Sequence, residues 1–244
     1  MDIQNAKKEF TKYVNNYDLE NEKMKRKYEH SFRVMEKAGK IAEYLKLSKQ
    51  DIELAILIGL LHDIGRFEQI RIYNSFEDHQ TIDHGNLGAQ ILRESNYIRK
   101  YIEDDKYDDI ILKSIKNHNK FKIEDGLSDR ELLFSKIVRD ADKWDIFYEG
   151  AEMFWNTEKE RQEVENTIVT EEIWKQFKEK SLIDRTMTKT SADKILNFIA
   201  LIFDINFDYT YKNIIEADYI NKVLDKFNFK DEKTAKIMEE VRKI

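Results

Sequence analysis

The sequence predicts an all-α protein. Three observations carry this. There is no proline and only seven glycines in 244 residues, too few for the many turns a strand-rich fold needs. Lys, Glu, Leu and Ile, all compatible with helix, abound. Apolar residues recur at three-to-four spacing along most of the chain.

Taken in order, Ile3, Ala6, Phe10, Val14 and Tyr17 predict a helix over about 3–16. A second helix is expected over about 22–46, with Ser31, Val34, Ala38, Ile41 and Leu45 inward and His30 one turn before Val34. Ser48 followed by Asp51 reads as an acidic variant of a capping box. It opens a helix over about 49–64 that is apolar almost all round from Leu54 to Leu61, as suits the middle of a bundle. Gly65 can end that helix or let another segment approach closely. Residues 67–80 show no long repeat and read as a loop, whose Phe67, Tyr73 and Phe76 either stack a base or pack the loop down.

Helix resumes in "TIDHGNLGAQILRE", with His84, Gly88, Ile91 and Ser95 on one side. The acidic stretch 97–109 reads as a surface turn or short helix. A helix over about 107–118 carries Ile111 and His118 on one face, and "IEDGLSD" is a loop. A helix over about 129–147 turns Leu133, Ile137, Val138, Ala141 and Asp142 inward. Further helices are expected over about 158–166, 171–179, 191–205, 211–227 and 231–243. No flexible linker or internal repeat divides the chain. The expected organisation is one helical domain over 1–244, with a core over about 22–147 and a C-terminal helical extension over about 150–244.

Bulk properties narrow the function. The chain carries 42 basic and 48 acidic residues, a formal charge of −6. That gives no broad attraction for nucleic acid or an anionic membrane, although a local anion site is compatible with it. The absence of cysteine excludes disulfides and thiol chemistry. The start, "MDIQNAKKEF", lacks an apolar signal core, and the longest apolar run, near 54–61, is too short to span a bilayer. A cytoplasmic protein is expected, and tail helices suited to a homodimer.

The informative oddity is where the polar residues fall. His30, His62 with Asp63, His84, His118 and Asp142 each extend the inner face of a different helix. Each alone has a plain structural explanation: a packed histidine, a capping pair, a salt-bridged bundle acid near Arg139 and Lys143, a residue following an Asp83 cap. Together they need a common partner, because a buried unpaired carboxylate costs several kcal/mol. A divalent cation is such a partner, and imidazole with carboxylate suits zinc, iron, manganese or nickel. Side chains of adjacent residues diverge by about 100° on a helix. His62 and Asp63 therefore need an ion lying between their directions, near the helix end. His79 falls in the loop and reads as solvated.

With these residues in view, the chain resembles the HD superfamily of metal-dependent phosphohydrolases. His30 in "YEHSFRVMEKA", the doublet His62–Asp63 in "LLHDIGR" and Asp142 in "IVRDADKWD" match its signature. His84 in "DHGNLGAQIL" and His118 in "IKNHNK" match a subgroup with two further histidines. The resemblance implies an HD-domain helical bundle. It implies one ion held by His30, His62, Asp63 and Asp142, and a second by His84 and His118 with Asp63 shared. Which of Mn, Fe, Ni, Co, Mg or Zn binds, and whether one ion or two, stays open. It also implies Arg66 as a phosphate contact, with Lys143 as a further cationic candidate, and Asp63 as the shared carboxylate of the reaction. Asp83 or Asp145 is expected to support the ligand histidines. Asn117 precedes His118 and no proline occurs, which separates the chain from the cyclic-dinucleotide branch. The implied activity is hydrolysis of a phosphate ester, a nucleotide or small phosphorylated metabolite. Two alternatives remain: a di-iron oxygenase on the same ligand set, and a non-enzymatic helical signalling or binding module.

Overall fold

In the computed structural model, which describes residues 1–244, every regular element is a helix. The α-helices are α1 (Ile3–Val14), α2 (Glu22–Tyr44), α3 (Lys49–Leu61), α4 (Ile64–Tyr73), α5 (His84–Arg93), α6 (Asp108–Asn117), α7 (Asp129–Glu152), α8 (Glu158–Glu165), α9 (Glu171–Lys178), α10 (Ser191–Ile199), α11 (Asp208–Glu216), α12 (Tyr219–Leu224) and α13 (Glu232–Val241). Short 3₁₀ turns lie at 78–80, 94–100, 105–107, 185–187 and 200–204. The chain divides into two units, Met1–Asp145 and Ile146–Ile244. No helix is long and apolar enough to cross a membrane.

The first unit is built around α3. Leu54, Leu57, Ile58, Leu60 and Leu61 are at most 1% exposed. Each such side chain contributes roughly 1.5–3 kcal/mol of burial free energy. The helix starts at Ser48, whose hydroxyl accepts from the Asp51 amide. Gly59 lets α2 lie directly against it, since a Cβ there would stand 2.9 Å from the Met35 Cα and 3.0 Å from the Val34 carbonyl oxygen. That contact sets the His30 helix and the His62 helix side by side.

Three expectations require correction. The segment 67–80 is not a loop throughout: α4 continues to Tyr73. It has no long apolar repeat because it is only ten residues long, yet Phe67 and Ile70 are buried. It stops at Asn74, whose φ of 48° is left-handed. Phe67 belongs to the core, meeting the rings of Phe10, Tyr13 and Tyr17, and is not placed to stack a ligand. The expected 191–205 helix tightens to 3₁₀ after Ile199, and the 211–227 helix breaks at Asp218, with φ 58°. Left-handed backbone at an Asp costs little enough that apolar periodicity does not reveal it.

The second unit has an aromatic core, with Phe147 and Trp155 each edge-on to Phe198, and Trp155 edge-on to Phe227. Thr157 with Glu160 and Thr190 with Asp193 form complete capping boxes. Asp193 is fully buried, but backbone amides of Thr170 and Lys189 donate to its carboxylate, so it is a structural acid.

Candidate metal centre

Between α3 and α4 the chain makes a two-residue turn. His62 is the C-cap of α3, and Asp63 sits at φ −103°, ψ 17°, outside both helices. This resolves the divergence expected for neighbours on one helix: the break brings His62 Nε2 to 3.4 Å from Asp63 Oδ2. Asp63 occupies the N-cap position of α4 but makes no capping hydrogen bond. Its carboxylate is directed elsewhere.

That carboxylate joins two groups of side chains. On the Oδ2 side, His30 Nε2 lies at 3.6 Å and His62 Nε2 at 3.4 Å. The two imidazole nitrogens are 3.2 Å apart, and Asp142 Oδ1 stands 3.1 Å from His30 and 3.7 Å from His62. On the Oδ1 side, His84 Nε2 lies at 3.3 Å and His118 Nε2 at 3.5 Å, with 2.9 Å between them. All four histidines and Asp63 are at most 3% exposed. The six residues expected to bind metal are thus brought together from α2, the 62–63 turn, α5, the end of α6 and α7. They form clusters that could each hold an ion.

The tautomers are fixed by what lies behind each ring. His30 Nδ1 faces Asp145 Oδ2 at 2.6 Å, and His84 Nδ1 faces Asp78 Oδ2 at 2.6 Å. His62 Nδ1 faces the Gly59 carbonyl at 2.8 Å, and His118 Nδ1 faces the Ile115 carbonyl at 2.6 Å. These oxygens only accept, so in all four rings Nδ1 carries the proton and donates. Nε2 is left as a lone pair pointing inward. Two such lone pairs at 2.9 or 3.2 Å repel unless a positive charge lies between them. Donors about 2.1 Å from a common ion stand about 3.0 Å apart in octahedral and about 3.4 Å apart in tetrahedral coordination. The separations here, 3.1–3.7 Å in one group and 2.9–3.5 Å in the other, fit a divalent ion.

The electrostatics agree. Burial opposes charge on His62, but Asp63 and Asp142 outweigh it and push the imidazole up to about 10. Burial pushes His118 down to about 4, so that ring is neutral and free to ligate. Asp63 and Asp142 are held well below the usual carboxylate range. Burial works against this, and Lys27 and His62 at Asp63, and His30 and His62 at Asp142, overcome it.

Support beyond the six residues differs in part from expectation. Asp145 backs His30 and is itself held by Arg33 at 2.9 Å and Lys37 at 2.8 Å. Asp83 does not back a histidine: it caps α5 through the Asn86 amide and pairs with Lys120. The residue behind His84 is Asp78, which sequence reading missed because it lies in a segment without periodicity. Asp78 also accepts from Arg66, Gln69 and Asn119. Arg66 Nη1 donates to Gln69, to the Phe76 carbonyl and to Asp78, tying the 76–78 segment to α4. Its Nε is buried without a hydrogen-bond partner, 3.7 Å from Asp63 Oδ1. Lys143 follows Asp142 on α7 and is buried. His79 is 44% exposed in its side chain, as expected of a solvated residue. Lys27 was also missed: its ammonium lies 2.7 Å from Asp63 Oδ2. A lysine is ordinarily read as surface, but its spacings of three from His30, four from Ser31 and seven from Val34 put it on the inner side of α2.

Comparison with curated proteins and with solved structures finds no match. The family model for the HD domain matches residues 28–146. That segment contains all six clustered histidines and aspartates, and it is an HD domain.

Proposed function

We propose that the chain is a metal-dependent phosphohydrolase acting on a phosphate ester, a nucleotide or small phosphorylated metabolite. The observation that carries this is the set of four imidazoles with Nδ1 tied back and Nε2 turned in around one carboxylate. An HD domain adds the association with phosphate-ester hydrolysis. The ligands in this reading are His30, His62, Asp63 and Asp142 on one side and Asp63, His84 and His118 on the other. Bound divalent ions would supply a water of lowered pKa and Lewis-acid neutralisation of phosphoryl charge. The chain itself does the rest. Asp63 presents one oxygen to each group and so sets their spacing. Asp145 and Asp78 fix the proton of His30 and His84 on Nδ1. Arg66 supplies a guanidinium N–H beside Asp63 for a phosphoryl oxygen, and Lys143 is a further cation next to Asp142.

The test is metal analysis of the purified chain, followed by a panel of nucleotides and phosphate esters with each of Mn, Fe, Ni, Co, Mg and Zn restored. Turnover that depends on added metal is expected. Two irons per chain with oxygen consumption and no ester turnover would instead select a di-iron oxygenase. Full metal occupancy with neither activity would select a binding module. For Arg66→Ala, metal content is expected to stay and KM for the ester to rise. Unchanged kinetics would remove Arg66 from the reading.

A further inference from the structure

The cations around the centre differ in what balances them. Arg66 has Asp78 at 2.9 Å. Arg33 and Lys37 share Asp145, at 2.9 and 2.8 Å. The carboxylate partner of Lys27 is Asp63 itself, at 2.7 Å. Lys27 is buried, with 10% of its side chain exposed, and one of its three donors serves Asp63. The Phe76 ring, 5.8 Å away, offers its ammonium only a weak further attraction.

This arrangement has a consequence once the centre is loaded, as proposed above. The charge of Asp63 is then claimed by the bound cations, and the buried ammonium beside it loses its counter-charge. A buried unbalanced cation is costly. What restores the balance is an anion able to accept from Lys27 while also meeting the cations. Arg66 Nε stands near the other oxygen of the same carboxylate, at 3.7 Å. Lys27 and Arg66 therefore flank Asp63, one on its Oδ2 side and one on its Oδ1 side. Solvent access agrees at Asp142 and Lys27, which keep 14 and 10% of their side chains exposed against at most 4% for the four histidines; Arg66 keeps 12%, with its Nε itself buried.

We propose that Lys27 is a phosphate-binding residue of this centre, donating to a phosphoryl oxygen from the Oδ2 side of Asp63 while Arg66 donates from the Oδ1 side. This rests on the centre holding cations, but not on the chain being a hydrolase.

Inorganic phosphate binding to the manganese-loaded full chain tests it, read by calorimetry with metal content measured on the same samples. For Lys27→Met and the more polar Lys27→Gln, metal content is expected to stay at the wild-type level. Phosphate affinity is expected to fall about tenfold or more, as for the loss of a hydrogen bond to a charged group. Lys27→Arg is expected to recover most of it. A dissociation constant within twofold of wild type in either neutral variant overturns the proposal. So does a variant that loses metal while its remaining loaded sites bind phosphate normally, because Lys27 then only supports Asp63. A loaded wild-type chain that binds no phosphate overturns it as well. Lys27-dependent phosphate binding without turnover of any ester would leave the proposal standing and defeat the hydrolase reading alone.

Discussion

The two halves of the centre are built alike in front and differently behind. Each has one histidine backed by a carboxylate and one backed by a main-chain carbonyl three residues earlier. The carboxylate behind His30 is Asp145, on the long helix α7, fully buried and held by Arg33 and Lys37. The one behind His84 is Asp78, in the short 3₁₀ turn after α4, with 28% of its side chain exposed. A ligand braced from a helix loses less order when perturbed than one braced from a loop. The His30 half is therefore the more preorganised, and the His84 half depends on how the 74–83 segment is held.

The strongest perturbation abolishes both halves at once. Asp63→Ala takes one oxygen from each half, so metal content should fall from the wild-type level to near zero, as read by elemental mass spectrometry. One ion retained at full affinity would show that the halves do not share this carboxylate. Next come the braces. Asp145→Asn and Asp78→Asn should each weaken metal binding about 10–100-fold, the usual cost of losing an outer partner of a ligand histidine. A metal titration should show each change confined to one of two binding steps. Equal effects on both steps would mean that the halves do not load separately.

A smaller effect tests how the His84 half is brought up to Asp63. A Cβ on Gly65 would lie 2.3 Å from the His84 carbonyl oxygen and 2.6 Å from the Gly88 amide nitrogen, both backbone atoms. Gly65→Ala should cost about 1–3 kcal/mol from overpacking, seen as a lower thermal midpoint. It should weaken the His84 half more than the His30 half.

The smallest effect is on pH. Burial works against charge on Asp78 and Asp145, but His84 at the first, and His30 and Arg33 at the second, hold both carboxyls well below the ordinary range. In the unfolded chain each would titrate at about 3.9. Below that pH the unfolded state takes up protons that the folded state does not. The stability these groups contribute is therefore complete at neutral pH and is lost as pH falls below about 4. Thermal midpoints measured from pH 6 to 3 should drop less steeply in Asp78→Asn than in the wild type.

The helices and the six clustered side chains were legible because both follow one rule. A histidine at the polar end of an apolar stripe has to point inward, and His30, His62, His84 and His118 all do. Asp78 and Lys27 were not legible, for different physical reasons. Asp78 reaches the centre through a turn whose path no periodicity records. Lys27 lies on the inner stripe of α2, four residues before Ser31 and seven before Val34, but its residue type is almost never buried unless paired, so the sequence reads it as a solvated charge. The short helix α4 was missed because ten residues give an apolar face too few repeats to register. The breaks at Asp218 and after Ile199 rest on single backbone angles. In the second unit, by contrast, the apolar spacing carried most of the available information, and that unit has no histidine at all.

The main-chain oxygens of Gly59 and Ile115 set the protonation pattern of two rings without using any side chain. A point substitution can delete a carboxylate but not a peptide carbonyl. Natural drift or laboratory engineering can therefore retune the backing of His30 and His84 by single changes at positions 145 and 78, whereas the anchoring of His62 and His118 changes only if the last turns of α3 and α6 are themselves rebuilt.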